Sequence, residues 1–238
     1  MTPPAPPSAP TTTADAELIA QAASRLATIH DGISRACADA RRDADEVTLI
    51  AVSKTQVADS ILPLLRTGHR VFGENRVQES ATKWPELRET FPDVQLHLVG
   101  QLQSNKAEES VRLFDVIHSL DRTSLLNALV RAMDKAGRRL PCFAQLNRAG
   151  GEQKGGCTPT ELSGLLGAAR DADLPIAGLM TVPPVGLEPA PWFALLAKLA
   201  DDHGLTGLSM GMSDDYPTAV RIGATHIRVG TALFGARD

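Results

Sequence analysis

The stretch Leu49–Gln56, LIAVSKTQ, reads as a buried strand that ends in a lysine. Leu49, Ile50, Ala51 and Val52 are apolar or small, and Ser53 then leads into Lys54, Thr55 and Gln56. A charged amine is costly to bury unless it is paired. Either the strand stops here and Lys54 snorkels to water, or its amine is held in a pocket for covalent chemistry with a carbonyl. The octapeptide does not separate the two readings, and the chain around it must.

Moving outward, eight strand-like runs alternate with amphipathic stretches. They are VTLIAVSK (47–54), RVFGEN (70–75), VQLHLVG (94–100), DVIHSL (115–120), PCFAQLN (141–147), IAGLMTV (176–182), LSMGM (208–212) and HIRVG (226–230). Several intervening helix-like runs stop at a glycine: Gly68, Gly137, Gly204 and Gly223. Strict alternation of strand and helix implies a parallel sheet. Eight units in about 190 residues fit a closed barrel better than an open doubly wound sheet. No GxGxxG follows a strand, which weakens the dinucleotide-binding alternative. The fold class is therefore α/β, a single-domain (β/α)8 TIM barrel. Leu18, Ala22, Leu26, Ile29 and Ile33 recur at helical spacing and predict an extra N-terminal helix from about Asp15 to Arg42. Residues 1–14, biased to Pro, Thr and Ala, read as a disordered tail ahead of a barrel domain spanning 15–238.

The totals exclude several functions. The net charge of −4 gives no electrostatic case for nucleic acid or an anionic membrane surface. Aromatics make up 4%, too few for a base-stacking platform. No apolar run approaches the ~18 residues of a membrane span, and the N-terminus has no basic and apolar regions of a signal peptide. Cys37, Cys142 and Cys157 match no metal motif or disulfide framework and read as reduced thiols of a cytoplasmic protein.

A barrel carries its chemistry at the C-terminal ends of its strands. Unusual polar residues fall there: Lys54, Glu74, Asn75, Gln101, Ser104, Asn105, Lys106, Ser119, Asp121, Arg122, Asn147, Ser209 and Ser213. In HIRVGTALFG, Ile227 and Val229 share one parity and His226 and Arg228 the other, so Arg228 points inside. A buried arginine needs an acceptor, either a barrel carboxylate or a ligand heteroatom. Barrels often bind phosphate with the loops after strands seven and eight, and Ser209, Gly230 and Thr231 are suitable residues. The same residues also serve ordinary turns. Together, an amine on strand one, a cation on strand eight and a phosphate cradle would hold pyridoxal 5'-phosphate. Arg228 at the ring nitrogen, being only a donor, would keep that nitrogen unprotonated. His97 could serve the pocket or simply be a core histidine. Lys154, in a glycine-rich loop, is solvated or reaches an anion over the mouth. The residues SDD (213–215) read as a helix N-cap with acids in the first turn.

The segments AVSKTQ, FGENRVQE, HLVGQLQSNK, HSLDR, KGG, GLMTVPP and LSMGMSDDYPTAVRIGATHIRVGTALFGAR appear in order from residue 51 onward. With them the chain resembles the YggS/PLPBP family, the pyridoxal-phosphate homeostasis proteins. The resemblance implies an alanine racemase-like N-terminal barrel. It implies that Lys54 forms the Schiff base and that Arg228 meets the pyridine nitrogen. It places Ser209, Gly230 and Thr231 around the phosphate, with Asn75 and Met210 lining the cofactor site and no metal. Arg76 and Gln101 depart from residues common in the family.

The resulting expectation is a cofactor carrier that buffers pyridoxal phosphate and meets apo-enzymes transiently, as a monomer without robust catalytic activity. The alternative is an amino-acid racemase with weak activity, with Lys54 as its catalytic residue. Racemisation needs a base on each face of the substrate. The chain has one tyrosine, Tyr216, and lacks the second domain that supplies the second base in alanine racemases. A scaffold without a ligand would leave Lys54 and Arg228 unexplained.

Overall fold

The computed structural model describes residues 12–147 and 155–235. The tail through residue 11 and the loop lysine Lys154 lie outside the described residues. Helix α1 (Thr13–Ala40) leads into β1 (Thr48–Val52), α2 (Ala58–Arg66), β2 (Val71–Glu74), α3 (Val77–Thr90) and β3 (Gln95–Leu98). Then come α4 (Ala107–Leu113), β4 (Val116–Leu120), α5 (Thr123–Ala136), β5 (Cys142–Leu146), α6 (Pro159–Asp171) and β6 (Ile176–Thr181). The chain finishes with α7 (Ala190–Asp202), β7 (Gly207–Ser209), α8 (Tyr216–Arg221), β8 (His226–Val229) and α9 (Thr231–Phe234). The eight parallel strands pair in sequence order and close with β1 beside β8, where Ile50 lies opposite Arg228. The barrel expected from the alternation is present.

Helix α1 starts two residues before the expected boundary, because Thr12 caps it by accepting from the Asp15 N–H at 3.1 Å. It ends at Ala40 because Arg41 takes a left-handed conformation, φ 56°. Arg42 then turns back to donate to the carbonyls of Val220 and Ala224. Tyr216 is buried against α1, and a Cβ on Gly32 would stand 2.0 Å from its hydroxyl. The four foreseen glycine stops all have positive φ, 63° at Gly137.

Strand alternation makes two different interiors. Leu49, Ala51, Phe72, Leu96, Leu98, Ile117, Ile227 and Val229 face the helices and join one continuous apolar core with Trp84, Phe114 and Phe193. The opposite parity fills the barrel, and there the filling is unusually polar. Branched aliphatic residues dominate such interiors in most barrels. Here His97, His118, His226, Ser209 and Arg228 meet inside, beside Phe143. All three cysteines are buried free thiols, and burial pushes Cys142 and Cys157 up to about 12. Among the described residues no helix is long and apolar enough to cross a membrane.

Candidate functional site

A cavity of about 350 Å³ opens at the C-terminal end of the strands, a size suited to a small ligand. Lys54, Asn75, Arg228, Gly230 and Thr231 all line it, so sequence positions far apart converge where barrel topology directs them. Val52, Val99, Val182 and Phe234 supply apolar wall, and Ser213 and Asp214 complete the side below β7 and β8. Two expected residues do not line this cavity. Met210 has the parity of the helix-facing core and is fully buried there. Ser209 points into the barrel axis, where its hydroxyl is used by other side chains.

Lys54 sits in a turn after β1 whose next residue, Thr55, has φ 65° although it is β-branched. Side chains from β2 and α3 grip this turn from outside the barrel. Lys83 Nζ donates to the carbonyls of Ser53 at 2.9 Å and Gln56 at 3.0 Å. Its ammonium also lies 2.9 Å from Glu74 Oε1 and 2.9 Å from Glu79 Oε1. Glu79 accepts from the Thr55 N–H. Glu74 Oε1 takes the Ser53 hydroxyl at 2.6 Å and the Trp84 N–H at 3.0 Å. Burial is the largest influence on the Glu74 carboxyl and raises its pKa, against lowering by Ser53 and Lys83. A Cβ on Gly100 would stand 2.2 Å from the Asn75 carbonyl oxygen, so this glycine lets β3 approach the turn that carries Asn75.

Arg228 is buried, and among the described residues no carboxylate pairs with it. Nη1 donates to Ser209 Oγ at 2.6 Å and Nη2 to the Thr181 carbonyl at 2.8 Å. Burial pulls its pKa down to about 10, and Asp215 raises it. Ser209 Oγ is also 2.8 Å from His118 Nδ1, and His118 Nε2 is 2.9 Å from His97 Nδ1. A guanidinium only donates. Ser209 therefore accepts from it and shares a further hydrogen bond with His118 Nδ1. His118 Nε2 and His97 Nδ1 share the next hydrogen bond, and His97 Nε2 has no partner among the described residues. Both rings are neutral, since burial drives His97 to about 3 and His118 well below 6.5. His226 falls to about 4 for the same reason. His97 lies too deep to line the cavity, and Tyr216 is turned away toward α1.

At the other end, the Gly230 N–H points to Ser213 Oγ at 3.4 Å, and α9 begins at Thr231. The first N–H groups of a helix have no partner within it. Asp215, not Ser213, is the N-cap residue of α8, and its carboxylate reaches back to the Met212 N–H at 2.5 Å. Ser213 is left at the cavity. Sequence reasoning gave Ser213 a capping role and did not single out His118 or Lys83. For Lys83 a signal existed, because Glu79 and Lys83 stand four apart on one helical face.

Comparison with known proteins agrees with the barrel fold. The alanine racemase N-terminal domain family matches residues 30–238. The pyridoxal phosphate homeostasis protein of Pseudomonas aeruginosa is 38% identical, with 91% of this chain and 96% of that protein covered. The Escherichia coli K12 protein of the same name is 36% identical, covering 91% and 97%. PipY of Synechococcus elongatus, whose structure was solved with pyridoxal phosphate bound, is 41% identical with a TM-score of 0.75, covering 85% of this chain and 100% of that one. An alanine racemase from Clostridium difficile shares the fold alone, at 13% identity and a TM-score of 0.65, with 91% of this chain and 57% of the racemase covered. The chain belongs to the pyridoxal phosphate homeostasis protein family, built on the alanine racemase N-terminal barrel.

Proposed function

We propose that this protein binds pyridoxal 5'-phosphate at the mouth of its barrel, holds it on Lys54 and releases it to apo-enzymes, keeping the free cofactor in balance. The carrying observation is that Lys54 and Arg228 line one cavity together with Gly230, Thr231 and Ser213. This donor set fits the group: a primary amine, a fixed cation, and hydroxyl and backbone donors near a helix start. Pyridoxal phosphate supplies an aldehyde that bonds reversibly to an amine. Lys54 provides that amine. Arg228, held by Ser209 and Thr181, presents a donor to the ring nitrogen and so favours its unprotonated form. Gly230, Thr231 and Ser213 receive the phosphate. Asn75 flanks the ring from β2.

The cavity favours holding over turnover. Among its described lining residues the ionisable groups are Lys54, Asp214 and Arg228. A racemase needs a second base facing Lys54 across the substrate, and neither His97 nor Tyr216 is there. We read the protein as a cytoplasmic monomer, in keeping with its buried thiols. The test is a titration with pyridoxal phosphate followed by visible absorption, then mixing of the loaded protein with an apo-enzyme. Wild type should gain an amine-linked band that Lys54→Ala lacks, and should restore the apo-enzyme without racemising alanine. Lys54-dependent racemisation would overturn the carrier reading.

A further inference from the structure

Lys54 occupies a four-residue turn, Ser53–Gln56, that contains a β-branched residue at φ 65°. Such a conformation persists only where the surroundings enforce it. The enforcing groups are identifiable. Lys83 ties the two ends of the turn, through the Ser53 and Gln56 carbonyls. Glu79 holds its middle, through the Thr55 N–H. Glu74 fixes Lys83 and the Ser53 hydroxyl, and is itself fixed by Trp84. Neither Glu74, Glu79 nor Lys83 lines the cavity. Glu74 is fully buried and the Lys83 side chain is 8% exposed. An apolar filling would stabilise this place as well as a buried ion pair does. What apolar residues could not do is bond the turn's backbone at three points.

We infer that Lys83, with Glu74 and Glu79, forms a clamp that positions the Lys54 amine for bonding to the cofactor aldehyde. The inference rests on the reading of Lys54 as the attachment residue. These are positioning residues, since none touches the cofactor cavity. The amine bonds the aldehyde carbon with loss of one water, and borohydride then adds hydride to that carbon, leaving a secondary amine. The clamp acts on the rate of the first step. Misplacing a reacting group by about 1 Å can slow a reaction on the order of 100-fold.

The test compares wild type with Lys83→Met, Glu74→Gln/Lys83→Met and Glu79→Ala. The rate of borohydride-trapped adduct at Lys54 is read by peptide mass mapping. Affinity for pyridoxine 5'-phosphate, which has no aldehyde, reads the cavity separately. The expected result is trapping slowed by about 10-fold or more in the Lys83 variants, with pyridoxine phosphate affinity changed by less than about 2-fold. Thr55→Gly placed in Lys83→Met should recover part of the rate, because glycine adopts positive φ without the clamp. Should the Lys83 variants fail to fold, Glu79→Ala, which removes the acceptor of the Thr55 N–H, decides alone: slowed trapping supports the clamp and unchanged trapping overturns it. Trapping at the wild-type rate in every folded variant, or a parallel loss of pyridoxine phosphate affinity, overturns it too. No adduct at Lys54 in wild type would instead bring down the attachment reading and the clamp with it.

Discussion

Acidification should unfold this barrel from within. His97, His118 and His226 sit together inside it, and all three resist protonation because burial leaves a charged ring unsolvated. Their folded values are about 3 for His97, about 4 for His226 and well below 6.5 for His118. In the unfolded chain each takes a proton near 6.5. Below that pH the unfolded state binds protons that the folded state refuses, so stability falls with falling pH; above it nothing is lost. His97 and His226 each contribute about 1 kcal/mol of loss by about pH 5.5 and about 3 by about pH 4.5, and His118 acts in the same direction. His97 and His226 together remove about 3 and then about 5 kcal/mol. Glu74, whose carboxyl burial raises, takes up a proton more readily when folded and offsets part of this. A domain is stable by about 5–15 kcal/mol in total, so a large part of that stability should be gone by about pH 4.5. Urea unfolding followed by far-UV circular dichroism at several pH values between about 7.5 and 5 measures the effect. In His97→Leu the slope below about pH 6 should lessen by about 1 kcal/mol per pH unit. A urea midpoint that stays flat across this range, or a slope untouched in His97→Leu, would refute the assignment of neutral buried rings.

Further outcomes follow from single contacts. Ser209→Ala leaves Arg228 Nη1 and His118 Nδ1 without their shared hydroxyl; a cost of about 1–3 kcal/mol should lower the thermal midpoint and weaken cofactor binding together. Gly100→Ala forces a methyl group against the Asn75 carbonyl. It should cost about 1–3 kcal/mol, and calorimetry with pyridoxine phosphate should show reduced affinity as Asn75 is displaced. Trp84→Phe keeps the ring in the apolar core but removes the N–H that Glu74 accepts. Its denaturation midpoint should shift by the equivalent of about 1–2 kcal/mol.

Much of this was legible in the sequence because local signals agreed with the fold. The eight apolar runs and the glycine stops at Gly137 and its counterparts set the barrel. Parity within HIRVG set Arg228 inside. Parity alone also turns Ser209 inward and Met210 outward, yet the phosphate-loop reading drew Ser209, and the resemblance drew Met210, toward the cofactor. The acceptors of Arg228 were not legible, because they lie on strands six and seven and one is a backbone carbonyl. The same holds for His118, which meets Ser209 across the barrel from 91 residues away. The polar filling of the barrel has no period or motif of its own. Only the closed register of the strands brings it together.

The attachment of the cofactor to Lys54 can be measured directly. Protein loaded with pyridoxal phosphate is reduced with borohydride, digested and mapped by peptide mass, beside Lys54→Ala carried through the same steps. The account expects the reduced cofactor on the peptide containing Lys54, at near one equivalent in wild type and none in the variant. An adduct spread over surface lysines, or one equally abundant in Lys54→Ala, would contradict it.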